Sequence, residues 1–395
     1  MTKLRIVVSG YVGRYPLGGV AWDYVQYAVG LHRLGHDVYY IEDSGDWPDN
    51  PMEGAGCRFN AAHVGVVMGR FGMGDRWAYR CPLDETWWGL GGARVTEVMS
   101  SADLLINVSG ALRLEALPSF GGRSVFIDSD PVFTQIKMAK GLYFPRLVAA
   151  YDVHFTFGET LDALRWGSDL SWRPTRQPVL LDEWATEGPP AEKFTTVMNW
   201  SSRESVELDG RSYGQKDREL RRFLDLPGRV HPIPLELALA VNTIHADDPD
   251  DSPQELLRDH GWGVVHPDEV CGDLESYARY IKNSLGEWSV AKNAYVAGRS
   301  GWFSCRSACY LAAGRPVVVQ ETGFSDVIPT GLGILTFDDV ATAAEALREV
   351  YGDRVRHSRA ARELATEYFD AGRVLSRLVE QAFMAPEAAP AGDPA

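Results

Sequence analysis

The sequence lacks several features that would place the protein in a specialised class. It has only five cysteines in 395 residues, none in CxxC spacing, so neither a cysteine-rich zinc site nor a disulfide framework is expected. Basic residues are outnumbered, 39 Lys and Arg against 54 Asp and Glu, and the net charge is −15. Nucleic acids and anionic membrane surfaces bind basic patches, so neither is an expected partner.

Long apolar runs and targeting segments are also missing. No stretch of about eighteen apolar residues is available to cross a bilayer, and the chain opens on a strand-like segment instead of an export signal. We therefore expect a reduced, cytoplasmic protein without a transmembrane segment. The first strand is followed by GYVGRYPLGG, which lacks the GxGxxG pattern and disfavours a nicotinamide-dependent dehydrogenase.

What is present is an ordinary globular composition, 45% hydrophobic and 24% charged, in which strand and helix patterns alternate. Residues 4–43 have the pattern of strand, glycine-rich turn, amphipathic helix and strand, which is typical of a βαβ unit. Short apolar runs predict further strands at 104–108, 124–128, 153–157, 194–200, 263–265, 287–290, 316–319 and 333–337. The chain therefore predicts an α/β fold with two doubly wound halves.

Composition also divides the chain. The proline-rich stretch 166–192 predicts a linker, which gives an N-terminal domain of residues 1–185 and a C-terminal domain of residues 186–372. A last helix is predicted around residues 360–382, with 373–385 as the terminal helical segment, and the tail 386–395 has too few apolar side chains to become ordered. An irregular insertion between residues 43 and 86 contains Trp47 and Trp77, and Trp87 and Trp88 follow it directly. These tryptophans either line an acceptor pocket or pack in the core.

Residues 301–323, GWFSCRSACYLAAGRPVVVQETG, are the most informative segment. They predict a loop, a helix and a buried strand in succession, with Ser304 or Ser307 as the helix cap and Gly301 allowing close backbone approach. The positive end of the helix dipole then faces the loop, and Arg306 adds donors suited to phosphate. The segment predicts an anion site, with an ordinary helix of a doubly wound sheet as the alternative.

The same segment resembles the nucleotide-diphosphate loop of the GT-B glycosyltransferases, both the GWxS form of natural-product and plant enzymes and the LEAMAxGxPVV form of the retaining family-four enzymes. It departs from both forms. The stretch from Gly301 to Pro316 is longer than in the GWxS form, and Arg299-Ser300 replaces the usual histidine. The glutamate pair of the family-four form falls on Gly301 and Cys309 and is therefore missing. Because that pair accompanies retention, we expect inversion.

The resemblance implies two Rossmann-like domains that face each other across a cleft, the first binding the acceptor and the second the donor. Helix 373–385 would pack back on the N-terminal domain. The implied enzyme moves a sugar from a UDP or TDP sugar to the hydroxyl of a small molecule or glycan, as in natural-product biosynthesis, and needs no cofactor besides this co-substrate. A nucleotide-sugar epimerase of the same fold and a non-enzymatic two-lobed phosphate-binding protein are the alternatives. The oligomeric state stays open.

The resemblance also assigns donor-binding residues. Arg203 and Lys216 follow the first strand of the second half, where a cationic pair neutralises the diphosphate, although Lys216 also fits a solvated helix position. Gly18 and Gly19 either lie over the phosphates or form a tight turn. The other assignments are Val265 and His266 to the base, Glu321 to ribose or sugar hydroxyls, and the loop residues Gly301, Ser304, Arg306, Ser307, Thr322 and Gly323 to the donor.

Catalysis is expected to use these cations and no metal ion, because the second half has no DxD pattern accompanied by a suitable acidic cluster. Asp128-Ser129-Asp130 matches DxD, but its place in the first half favours an acceptor-side role. A carboxylate at a strand end can take the acceptor proton, and we rank Asp130 ahead of Asp128 and Asp23 as the general base. Capping of the following helix is the alternative role for Asp130.

Overall fold

The first half of the chain forms a mostly parallel eight-stranded sheet. The computed structural model describes residues 2–46, 56–141, 143–161, 170–186, 192–241 and 252–384. The strand order is β4-β3-β2-β1-β5-β6-β7-β8, and all neighbours are parallel except β3 and β4. The strands are β1 (Arg5–Ser9), β2 (Asp37–Glu42), β3 (Trp77–Arg80), β4 (Trp87–Gly89), β5 (Leu104–Val108), β6 (Arg123–Asp128), β7 (Val153–Thr156) and β8 (Trp172–Pro174).

The second half forms an all-parallel sheet of six strands and a separate antiparallel hairpin. The strands are β9 (Phe194–Asn199), the hairpin β10 (Val206–Leu208) and β11 (Arg211–Tyr213), β12 (Leu235–Ala240), β13 (Gly263–Val265), β14 (Gly286–Ser289), β15 (Val317–Gln320) and β16 (Ile334–Phe337). The order of the six-stranded sheet is β13-β12-β9-β14-β15-β16. In each sheet the order reverses beside the first strand, which is where doubly wound sheets open a crevice at the carboxyl ends.

Helices cover both sheets. They are α1 (Gly18–Arg33), α2 (Arg58–Arg70), α3 (Gly92–Ser101), α4 (Phe133–Lys140), α5 (Tyr143–Ala149), α6 (Lys216–Leu220), α7 (Leu226–Val230), α8 (Pro253–Asp259), α9 (Pro267–Cys271), α10 (Leu274–Lys282), α11 (Asn293–Gly298), α12 (Cys305–Ala312), α13 (Val340–Gly352), α14 (Arg354–Tyr368) and α15 (Ala371–Phe383). Within the described ranges, no helix is long and apolar enough to cross a membrane.

Local sequence explains these elements. The central strands are continuous apolar runs, as expected where helices cover both faces, and Ile6, Val7 and Val8 of β1 are completely buried. Helix α13 begins where the Asp339 carboxylate accepts a hydrogen bond from the Thr342 amide at 2.9 Å, which satisfies one of the unpaired amides of the first turn. The strands expected at 104–108 and 263–265 are observed with those bounds.

The two sheets are joined behind the crevice by a shared apolar core. Helix α1 of the first half packs against α10 and α12 of the second, and Trp22 donates its indole N–H to the Leu274 carbonyl at 3.0 Å. Side chains from both halves belong to one buried cluster. The Gly18-Gly19 pair allows this contact, because a Cβ on Gly18 would lie 2.0 Å from the Asp273 carbonyl oxygen and one on Gly19 would lie 3.0 Å from the Tyr277 ring.

Two expectations about secondary structure are incomplete. Strand β12 was not anticipated, although its LELALA sequence is apolar enough to pair with β9 inside the sheet. The last helix is two helices, α14 and α15, separated at Phe369-Asp370, where Asp370 accepts a hydrogen bond from the Arg373 amide and caps α15. Helix α15 packs against α1 and β6. Residues 386–395, Trp47 and parts of the 166–192 linker lie outside the described residues, and the domain boundaries remain a proposal.

The expectation of a chain without disulfides is wrong. Cys57 at the start of α2 is bonded to Cys81 just after β3, with a Cα–Cα distance of 5.6 Å. The two residues are 24 positions apart in no recognisable cysteine motif, so only the packing of α2 beside β3 brings them together. Cys271, Cys305 and Cys309 are free thiols.

Candidate active site

A cavity of about 670 Å³ lies between the carboxyl ends of the two sheets. Its walls come from α1, the loops after β1, β5, β6, β9 and β14, and the start of α12. Although the chain has a net charge of −15, basic side chains outnumber acidic ones here. The basic residues are Arg14, Lys137, Arg203, Lys216, Lys292 and Arg306, and the acidic residues are Asp23, Asp46, Asp128 and Asp130. Such local positive charge suits an anionic ligand.

Arg306, on the first turn of α12, is anchored to the second sheet. Its Nε donates to Glu287 at 2.5 Å, Nη1 to the Val197 carbonyl at 2.7 Å and Nη2 to the Ser289 hydroxyl at 2.7 Å. Glu287 is fully buried, so this ion pair is shielded from solvent. Three of the five guanidinium N–H donors are therefore committed inside the protein, and the others are available to the cavity. The hydroxyl of the preceding Ser304 makes no capping hydrogen bond.

Lys216, the first residue of α6, lines the same wall. Its ammonium makes no hydrogen bond or ion pair with any residue that the structure describes. Burial, and next the charges of Arg306 and Lys292, hold the pKa of Lys216 well below its ordinary value. A buried cation beside other cations is electrostatically unfavourable, and an anion between them would remove the penalty. The arrangement can therefore hold a phosphate group.

Asp130, two residues after the end of β6, is fully paired across the crevice. Its oxygens accept from Arg203 Nη2 at 2.9 Å and Lys292 Nζ at 2.8 Å, and the Tyr295 hydroxyl donates a third bond. Burial alone would raise the pKa of Asp130, but Lys292 and Arg203 hold it well below its ordinary value. At neutral pH this carboxylate is therefore ionised and a weak proton acceptor.

Asp128 organises the loop that carries Asp130. It is 1% exposed and accepts from Thr134 Oγ1 at 2.6 Å, Gln135 Nε2 at 3.1 Å, Thr156 Oγ1 at 2.9 Å and the Asp130 amide at 2.9 Å. Both oxygens are used in fixing the turn and the start of α4. The side chain that binds the start of this helix is thus that of Asp128, whereas Asp130 binds cations of the second half.

Asp23, on the second turn of α1, faces the cavity near Arg306 and Cys305. Within the described residues its carboxylate makes no hydrogen bond or ion pair. Burial raises the pKa of Asp23 to about 7, and the charge of Arg306 opposes this shift. A carboxyl group that is half ionised near neutral pH and has no partner is suited to accept a proton from a bound molecule.

The structure gathers only part of the expected donor set at this cavity. Gly19, Arg203, Lys216, Ser304 and Arg306 line it. The remaining positions are not among the residues that line it. Ser307 and Thr322 line a small adjoining pocket that shares Trp302 and Ser304 with the cavity. The others are Gly18 against Asp273, Gly301 against Thr160, Val265 at the end of edge strand β13, His266 as the cap of α9, and Glu321 and Gly323, which are hydrogen-bonded to each other. Strand β13 is two strands away from β9, which explains the distance of Val265 and His266 from the cavity.

Several cavity residues were missed at the level of sequence. Lys292 and Tyr295 follow β14, and Lys137 lies on α4 after β6. The sequence could have indicated these residues as cavity candidates, because both segments come after the carboxyl end of a parallel strand in a doubly wound sheet. Tyr11, Tyr15 and Tyr24 form an aromatic group on the first-half wall, with ring centroids 5.8 and 5.9 Å apart for the two contacting pairs.

The suggestion that tryptophans of the insertion line an acceptor pocket is wrong for the three residues that are described. Trp77, Trp87 and Trp88 do not line the cavity. They belong to β3 and β4 at the edge of the first sheet, where they pack on the hydrophobic core. These strands are far from the reversal point beside β1, so their side chains are directed to core packing.

Comparison with known proteins identifies the fold. No family model matches the chain, and no curated protein sequence does. Among solved structures, it resembles an alpha-glucosyltransferase in complex with UDP and a 13-mer DNA (TM-score 0.61, 11% identity, 97% of this chain and 100% of that one). It also resembles Anabaena HepE in complex with UDP and glucose (0.61, 12%, 96% and 99%) and AviGT4, a glycosyltransferase involved in avilamycin A biosynthesis (0.52, 13%, 96% and 97%).

These similarities extend over nearly the full length of each chain, so they include both sheets and the crevice between them. The protein has the GT-B fold, with two Rossmann-like halves, and the fold expected from the sequence is confirmed.

Proposed function

We propose that the protein is a glycosyltransferase that moves a sugar from a UDP sugar to a hydroxyl group. The observation that carries this proposal is Lys216, which has no hydrogen-bond or ion-pair partner among the described residues and acts electrostatically with Arg306 at the start of α12, inside a basic cavity of an acidic protein. The negative charge of a nucleoside diphosphate would compensate the positive charge of this wall. The solved relatives with UDP in this fold support the choice of nucleotide, with TDP as the alternative.

In the proposed reaction, the second-half wall stabilises the leaving group. The bond between the anomeric carbon and the diphosphate oxygen breaks, and negative charge develops on the diphosphate. Lys216, the free N–H groups of Arg306 and the amides at the start of α12 would stabilise this charge in a partly desolvated site. These cations can stabilise the leaving diphosphate, as a divalent metal ion often does, which supports a metal-independent reaction. Asp128 and Asp130 are already occupied by hydrogen bonds and ion pairs.

The proposed general base is Asp23. Its carboxylate takes the proton of the acceptor hydroxyl while the acceptor oxygen attacks the anomeric carbon, on the face opposite the leaving diphosphate. Asp23 comes from the first half and Lys216 and Arg306 from the second, so the two halves supply the base and the diphosphate-binding groups respectively. Asp130, ranked first from sequence, is less suitable because three donors already bind its oxygens. We therefore place Asp23 ahead of it.

The proposed acceptor is a small molecule, such as a natural product or a short glycan. A cavity of about 670 Å³ must hold the donor sugar and diphosphate together with the acceptor hydroxyl, which favours a compact acceptor. A cytoplasmic location is proposed from the sequence, although the Cys57–Cys81 disulfide favours an oxidising compartment. Cell fractionation tests the location directly.

The decisive experiment is a thermal-shift panel of nucleoside diphosphates followed by product analysis with the best UDP or TDP sugar. We expect UDP or TDP to raise the Tm and the cognate sugar nucleotide to yield a glycoside and free nucleoside diphosphate in equal amounts. Release of an epimerised sugar without an acceptor would identify an epimerase instead. Binding of the sugar nucleotide without turnover across an acceptor library would favour the non-enzymatic binding protein.

A further inference from the structure

The cavity contains further cations besides Lys216 and Arg306, and one of them, Lys292, also acts electrostatically on Lys216. Lys137 on α4 lies near Arg203 and Lys292, and the charges of those two residues, after burial, contribute to lowering its pKa. Arg203 and Lys292 share Asp130 as their counter-ion. Lys137 makes no ion pair or hydrogen bond with the described residues. We call Lys137, Arg203 and Lys292 the α4 cation group.

This group is held in place by aromatic rings. The Arg203 guanidinium lies 5.3 Å and the Lys292 ammonium 5.2 Å from the centre of the Phe133 ring, and the Lys137 ammonium lies 5.4 Å from the centre of Phe144. Cation–π contacts restrict the positions of long side chains without neutralising their charge. The group therefore presents three ordered basic side chains against two carboxylates, Asp130, which is paired with Arg203 and Lys292, and Asp128, whose charge also acts on Lys137 and Lys292. Basic groups remain in excess.

The surroundings of the α4 cation group match a hydroxylated molecule. Ser109 and Ser129, which follow β5 and β6, line the cavity with their hydroxyl oxygens 2.5 Å apart, and the Tyr24 hydroxyl is 3.3 Å from Ser109. Tyr11 and Phe144 add aromatic surface on the same side. Hydroxyl groups, which can both donate and accept hydrogen bonds, suit the polar edges of a sugar or polyol, and flat aromatic rings suit its C–H faces.

We propose that the acceptor carries an anionic group, a phosphate monoester or a carboxylate, and that Lys137 binds it together with Arg203 and Lys292. The inference rests on the proposed function, because it assumes that the donor diphosphate occupies the wall formed by Lys216 and Arg306. The cavity then holds two anions at once, one from each substrate. Lys137 is a specificity residue in this scheme, since it selects charged acceptors over neutral ones.

The test is a calorimetric titration of the protein saturated with UDP, using inorganic phosphate in one arm and acetate in the other. We expect at least one of the two anions to bind while UDP stays bound, and the stronger one identifies the chemical class of the acceptor. Lys137→Ala should weaken this binding by about tenfold, the effect of losing one charge-assisted contact. Lys137→Arg should retain most of it. UDP affinity should change less than twofold in both variants.

Lys140→Ala is the matched control, because Lys140 lies on the same helix, does not line the cavity and donates to the Glu207 carbonyl. Competition between the anion and UDP would overturn the inference by showing a single anion site. Absence of anion binding to the UDP complex, or equal affinity in wild type and Lys137→Ala, would also overturn it. Failure of UDP itself to bind would instead reject the proposed function.

Discussion

Asp23 and Asp130 are the same chemical group in opposite surroundings. Both come from the first half, both line the cavity and both face cations of the second half. Asp130 binds Arg203, Lys292 and Tyr295, and its pKa lies well below the ordinary value. Asp23 has no partner among the described residues, and burial raises its pKa to about 7. The difference shows that pairing, and not burial alone, decides which carboxylate can accept a proton.

The largest effect is expected from removing the cation beside Asp23. Arg306→Ala leaves Glu287 buried without its ion-pair partner, which should lower the free energy of unfolding by about 3–5 kcal/mol. It also removes the charge that opposes the raised pKa of Asp23, so that pKa should rise further. Urea unfolding measures the first effect, and Arg306→Lys, which keeps the charge, is the control. Equal stability of wild type and Arg306→Ala would show that the ion pair is not structural.

Asp23→Asn should remove the proposed base while keeping its shape. The transfer rate should fall on the order of a hundredfold, with UDP affinity retained. In the wild type, the rate should rise with pH as Asp23 ionises near pH 7. Steady-state kinetics across pH 5–9 measure both effects. If Asp23→Asn keeps its rate and Asp130→Asn loses it, the roles of the two carboxylates are the reverse of those proposed.

Lys216→Ala should weaken UDP binding by about 1.5–3 kcal/mol, the range for a hydrogen bond to a charged group. Because its ammonium has no partner within the described structure, its loss should leave the stability of the free protein unchanged or slightly higher. Calorimetry with UDP gives the affinity. Arg218→Ala is the control, since Arg218 is on the same helix but outside the cavity. Undiminished UDP affinity in Lys216→Ala would show that the diphosphate does not bind at this wall.

The last prediction concerns the sign of the contribution that each carboxylate makes to stability as the pH changes. The pKa of Asp130 is lowered by folding, so its ionised form stabilises the protein above its ordinary pKa, and this contribution is lost as the pH falls through the folded value. The raised pKa of Asp23 has the opposite sign and costs stability as the pH rises from the ordinary value to about 7. Thermal unfolding at pH 8 should therefore show Asp130→Asn less stable and Asp23→Asn more stable than wild type. A change in Tm of the same sign in both variants would contradict the opposite contributions assigned to Asp130 and Asp23.

The local pattern of residues 301–319 was sufficient to predict its structure. Its glycines and Pro316 mark the ends of the loop and the helix, its small and apolar residues form α12, and its valine run forms β15. The carboxyl ends of parallel strands meet at one edge of each sheet, and the resemblance to GT-B enzymes implied that the two edges face each other across a cleft. Asp23, Asp130, Arg203, Lys216 and Arg306 do share it.

Only the tertiary structure decided what each of these residues can do. Asp130 and Lys292 are 162 positions apart and become an ion pair when the two sheets face each other. Asp23 is half-buried at the cavity wall because α1 packs on α10 and α12. The same contact between distant segments explains the Gly18-Gly19 pair. The Cys57–Cys81 bond likewise depends on the packing of α2 beside β3. Local periodicity determines helices and strands because their hydrogen bonds are local or regular, whereas desolvation and charge pairing depend on which distant segments meet.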